Sequence, residues 1–131
     1  MKVALTTKYV HEIYAITRIV IGILFISHGI QKFVALINGN LPADNLLLII
    51  ATIIETIGGL LIIIGWQTHL AAFILSGEMA VAYFIQHAPK GLLPIKNGGE
   101  LAVFYCFVFL FISAYGSGKW SLDNRNKNLK T

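Results

Sequence analysis

Read as a pattern of apolar and polar positions, the chain consists of four long apolar runs broken by short polar ones. The runs cover about 14–37, 46–66, 70–87 and 100–115. The breaks, "NGNLPADN", "GWQTH" and "APKGLLPIKNGG", carry turn-forming residues. None of the runs alternates polar with apolar positions, which argues against strands. A bilayer hydrocarbon core of about 30 Å needs roughly 20 helical residues. Backbone groups in lipid must also be satisfied within their own segment, so continuous apolar runs of this length predict helices.

Composition identifies the solvent. Of 131 residues, 56% are hydrophobic and 12% charged, with a mean hydropathy of +0.75. Soluble domains carry about 25% charged residues, and so small a domain keeps much of its surface wet. The predicted class is therefore all-α, a polytopic four-helix bundle in a membrane. The first run holds Arg18 and Lys32 and is followed by three more, so it is read as a span and not a cleaved signal peptide. Residues 1–123 form the expected four-span domain, with 124–131 as a basic cytoplasmic tail.

Charge adds an orientation. Lys2 and Lys8 precede the first run, and Lys119, Arg125, Lys127 and Lys130 follow the fourth. Lys90 and Lys96 stand in the third connection, with Lys32 at the far end of the first run. This bias predicts both termini in the cytoplasm. The net charge of +4 reads as a topology signal beside anionic lipid rather than a nucleic-acid surface. Trp66, Tyr115 and Trp120 fit an aromatic belt at that interface.

The candidate chemistry lies in polar residues inside the runs. Counting about 1.5 Å per residue puts Glu55 and Glu78 near the midplane, with Arg18 roughly 8 Å to the cytoplasmic side. One charge at the membrane centre costs at least about 2.5–3.5 kcal/mol. The acids are therefore expected to face inward and either pair with Arg18 or hold a proton. On the first helix Arg18, Gly22, Phe25, Gly29 and Lys32 share a face, with His28 beside it. Glu55, Gly58, Gly59 and Ile62 share a face on the second. On the third, Ala72, Ser76 and Ala80 form a row of small residues that admits a close neighbour.

A second polar group, Lys32, His87, Asn97 and Glu100, falls at the opposite mouth. There Asn97 can cap the fourth helix and Glu100 can complement its dipole. The functional reading joins this mouth to the buried acids as one polar shaft. The plainer readings are an ion network that fixes helix register, a Lys32 that snorkels outward, and helix-end histidines. A lone Cys106 leaves no disulfide and no thiol pair for quinone reduction. No dinucleotide fingerprint, phosphate loop or haem-attachment motif is present. The histidines are too scattered for a zinc site, and nothing in the spacing singles out a haem between His28 and His87.

The segments "RIVIGILFISHGIQK", "ETIGGLLIIIGWQTHLAA", "EMAVAY", "NGGELAVFY" and "GSGKWSLD" resemble the DoxX family of small bacterial and archaeal membrane proteins. The resemblance runs from about Arg18 to Asp123. Its most specific parts are Glu55-x-x-Gly58-Gly59 and Asn97-Gly98-Gly99-Glu100, then Gly116-x-Gly118 and Ser121-x-Asp123, with Ser117 where the family often has proline. It implies a four-helix membrane fold and a link to quinone-dependent thiosulfate oxidation, sulfur metabolism, redox stress or quinone and catechol detoxification. It also implies a polar site at Arg18, Lys32, Glu55, His87, Asn97 and Glu100.

Two function classes follow. One is a quinone-linked oxidoreductase component in which Glu55, Glu78 and Arg18 act catalytically. Arg18, His28, Lys32, Glu55, Glu78, His87, Asn97 and Glu100 would then hold the substrate. With no cofactor bound covalently, the redox group would be a diffusible quinone or belong to a partner subunit. The other class is a non-enzymatic binder or carrier of a small polar or anionic ligand or a proton, for which four helices would call for a homodimer. An assembly subunit of a membrane redox complex is the blander version.

Overall fold

A computed structural model describes residues 5–128. A 3-10 turn, Leu5–Tyr9, leads into α1 (Val10–Ile37), followed by α2 (Leu46–Ile64) and α3 (Thr68–Ala82). The chain continues from α3 through a π turn at Tyr83–His87 and a 3-10 turn at Ala88–Lys90. Then come the short α4 (Pro94–Asn97), α5 (Glu100–Tyr115) and α6 (Leu122–Asn128). Among the described residues there is no strand. Three continuous helical stretches, Thr6–Ile37, Leu46–Ile64 and Thr68–Lys90, are long and apolar enough to cross a membrane, and α5 is a shorter apolar helix.

Local chemistry sets the boundaries. The Asn45 side chain accepts from the Leu48 amide at 3.2 Å and so caps α2. Gly65, in the left-handed region at φ 67°, ends the same helix, and its amide donates to Leu61. Pro94 opens α4, where its missing N–H costs nothing. The basic tail expected over 124–131 is helical in its first part, because 124–128 lie in α6. Lys2 and Lys130, used for the orientation argument, lie outside the described residues.

The helices pack as two pairs, α1 with α2 and α3 with α5, joined through α2 and α3. Glycine sets the closeness of the first pair. A Cβ on Gly29 would come within 2.8 Å of the Thr56 amide nitrogen, and one on Gly59 within 2.9 Å of the Ile26 nitrogen. Phe25 closes the bundle on the other side. Its ring packs edge-on against Tyr105 at 5.1 Å and Phe109 at 4.7 Å, linking α1 to α5. Large apolar side chains such as Ile53, Phe73 and Phe107 remain more than half exposed, as lipid-facing positions require. Glu12 receives Lys119 and Tyr14 donates to the Gly116 carbonyl, so the two ends of the chain meet at one end of the bundle.

Candidate functional site

The inward stripes lie where helical spacing puts them. The buried residues of α1 are Ala15, Arg18, Gly22, Phe25 and Gly29, with Lys32 half-buried in the same line. Those of α2 are Thr52, Glu55, Gly58, Gly59 and Ile62. On α3, Ala72 and Ser76 are buried and Ala80 half-buried. Ser76 donates to the Cys106 carbonyl at 2.8 Å, tying α3 to α5.

Within this frame Lys32 Nζ meets Glu55 Oε1 at 2.6 Å. The Glu55 side chain is 2% exposed and that of Lys32 33%. Glu55 Oε2 is buried without a hydrogen-bond partner, and so is Glu78 Oε2. Glu55 and Lys32 are the charged groups that act on the Glu78 carboxyl. Three helices therefore contribute one cation and two acids to a single cluster, in which Glu55 is buried and Lys32 and Glu78 are half-buried. Lys32 does not snorkel outward. Cα–Cβ bonds lean toward a helix's N-terminus, so a lysine near the end of α1 leans back into the membrane. Glu55, on the antiparallel α2, leans toward it.

The same rule overturns the expected Arg18 pairing. Arg18 is fully buried, but it leans toward the termini and away from the acids. Its guanidinium donates to the carbonyls of Ile62 and Ile63 (2.9 Å for the second) and to those of Lys119 (3.2 Å) and Trp120 (2.9 Å). The acid that acts on it through space is Asp123, not Glu55 or Glu78. Ile62 and Ile63 lie in the last turn of α2, where carbonyls lack helical partners and the dipole favours a cation. Arg18 is thus a clamp between α1, α2 and the segment after α5.

That segment also holds Asp123, whose contacts no spacing in the sequence indicates. Asp123 accepts from the amides of Gln67 and Thr68, each at 2.9 Å, and so caps α3 from 55 residues away. Burial pushes its carboxyl up, but the two backbone donors outweigh that and leave it below its ordinary value of 3.8. Gln67 at φ 50° and Trp120 at φ 52° hold left-handed backbone there. The available signal was the glycines themselves: Gly65 faces Ser121 and Arg18, Gly116 faces His69 and Gly118 faces Tyr14, each at a distance that a Cβ would not allow.

At the opposite mouth the polar groups bond chiefly to one another. Asn97 is 5% exposed, and it does not cap α5, whose N-cap is Gly99. Its Oδ1 accepts from the Gly99 amide at 2.8 Å, while Nδ2 donates to Gly91 at 2.6 Å and to the Tyr83 hydroxyl at 3.1 Å. Tyr83 in turn donates to the Leu92 carbonyl at 2.6 Å. The His87 ring stacks near Tyr83, with Nδ1 3.2 Å from the Asn97 carbonyl oxygen. His28 meets a different tyrosine, Tyr105, edge-on at 6.0 Å. Glu100 is exposed in the first turn of α5, where a carboxylate complements the dipole. Of the predicted site residues the structure gathers Lys32, Glu55 and Glu78, and it distributes the rest.

A family model, DoxX, matches residues 13–88, which span α1 to α3 and carry all three gathered residues. The chain belongs to the DoxX family. It is accordingly a multi-pass membrane protein, and its DoxX match holds the Arg18 clamp's donor but not the segment after α5. An uncharacterized protein of Haemophilus influenzae is 45% identical over 125 residues, covering 90% of this chain and 93% of its own. An uncharacterized membrane protein of Mycobacterium tuberculosis is 29% identical over 128 residues, covering 82% and 77%. No solved structure matches the chain.

Proposed function

We propose that this DoxX chain is the membrane component of a quinone-linked oxidoreductase in the plasma membrane, with both termini cytoplasmic, and that it holds the quinone head group at Lys32, Glu55 and Glu78. The observation that carries the reading is the pair of buried carboxylate oxygens without partners beside a lysine ammonium. A quinone head group has two carbonyl oxygens that only accept hydrogen bonds. Lys32 supplies a donor to one, and a protonated carboxyl supplies the other. Reducing a quinone to a quinol consumes two electrons and two protons. In this reading the acids pass protons to the ring oxygens one at a time, regaining each from water at the membrane surface, and the electrons come from a redox partner subunit docked there. Lys8, Lys119, Arg125 and Lys127, against Lys90 and Lys96 at the other end, support the orientation.

The test uses membranes containing the full chain and its electron donor. Replacing Glu55→Gln together with Glu78→Gln is expected to abolish quinone reduction with the protein level unchanged. Full activity in that double variant would overturn the proposal. Binding gives a second readout, because a ligand that favours the folded state raises the melting temperature. A shift produced by small polar or anionic ligands, with none from any quinone, would return the chain to the non-redox binder or carrier class.

A further inference from the structure

The buried cluster has a charge count that its geometry resolves in one way. Lys32 from α1 contributes +1, and Glu55 from α2 and Glu78 from α3 contribute −2 if both are ionised. α5 brings no aspartate, glutamate, lysine, arginine or histidine after Glu100, and His28 turns its ring to Tyr105. A net charge of −1 at this depth is heavily penalised, because an unbalanced ion in a low-dielectric interior costs several kcal/mol. Separately, two buried acceptor oxygens, Glu55 Oε2 and Glu78 Oε2, have no donor. A single proton on one carboxyl, donated to the other, removes the excess charge and satisfies both oxygens at once.

We propose that Glu55 and Glu78 share one proton, so that with Lys32 they form a neutral one-proton site inside the bundle. The inference rests on the polar cluster used in the functional reading, but not on the ligand being a quinone. It also restricts what the cluster exchanges. A neutral ligand leaves the proton in place, a small monovalent cation displaces it, and an anion arrives with a second proton.

Infrared spectroscopy of the full chain in lipid bilayers tests this directly, because a protonated carboxylic acid has a carbonyl stretch apart from that of a carboxylate and shifted by heavy water. At neutral pH the wild-type protein is expected to show one such band. Glu55→Gln and Glu78→Gln are each expected to lose it, because the remaining carboxylate is balanced by Lys32. The glutamine amide keeps a donor where the proton stood. Lys32→Met is expected to double the band, since two acids then need two protons.

A wild-type spectrum without the band overturns the proposal and needs no variant to fold. A band that persists in both glutamine variants overturns it as well. The band pattern without quinone-dependent activity keeps the shared proton and removes the quinone. Quinone binding lost in Lys32→Met, with no band in the wild type, does the reverse.

Discussion

Lys32 and Glu55 close an ion pair of 2.6 Å across the α1–α2 interface, while Arg18, on the same face of α1, turns the other way to four backbone carbonyls. Two cations in one stripe thus do different work. Lys32 answers a buried acid, and Arg18 fastens the ends of helices.

The first consequence concerns Lys32. Replacing it with methionine removes the partner of an acid that is 2% exposed. Breaking a buried pair costs about 3–5 kcal/mol. The partial exposure of Lys32 and proton uptake by Glu55 put the expected loss at or below about 3 kcal/mol. Thermal melts in detergent or nanodiscs measure it. The loss should shrink in Lys32→Met combined with Glu55→Gln and Glu78→Gln, since no unpaired charge then remains in the cluster.

Arg18→Met is expected to be worse, because it strands buried carbonyls at about 1–3 kcal/mol each. Arg18→Lys should fall between, as a point-like ammonium cannot reach four carbonyls in the manner of a planar fork. The informative measurement is the infrared band in Arg18→Lys. It should be unchanged from wild type, because Arg18 is outside the acid cluster.

Glycine positions give a graded series. Gly29→Ala and Gly59→Ala press a methyl onto the facing backbone, with an expected cost of about 1–3 kcal/mol each. Gly77→Ala meets nothing within 4 Å, and in mid-helix it is expected to stabilise by up to about 1 kcal/mol. Melting temperatures moving down, down and up would establish the α1–α2 contact as the tight one.

Acid affects the other end of the bundle through Asp123. Its carboxyl titrates below the ordinary 3.8 in the folded chain. Its contribution is therefore complete above pH 3.8 and is lost as pH falls through the depressed folded value. Melts between pH 7 and pH 3 should show this loss, and Asp123→Asn should remove that part of the pH dependence. At neutral pH the same change keeps one acceptor but turns an NH2 group toward the other amide, at an expected cost of about 1 kcal/mol.

Much of this was legible in the sequence. Residue spacing alone assigned Arg18, Gly22, Phe25, Gly29 and Lys32 to one face and Glu55 with Gly58 and Gly59 to another, because helical period and lipid exposure leave few alternatives. Counting rise per residue located the Cα atoms in depth but left out the lean of each side chain. That omission paired Arg18 with the wrong partners and allowed Lys32 to point outward. The hydrogen bonds around Asn97 and the cap from Asp123 were not legible for another reason. They depend on where irregular backbone returns, and no periodicity records a contact between Arg18 and Trp120 across 102 residues.

That contact has a bearing on how the protein is made. Arg18 enters the membrane with the first helix, yet two of its four acceptors lie 101 and 102 residues further along the chain. A nascent chain halted before Lys119 leaves a guanidinium with half its acceptors missing, so synthesis of the segment after α5 and satisfaction of this buried cation become one event.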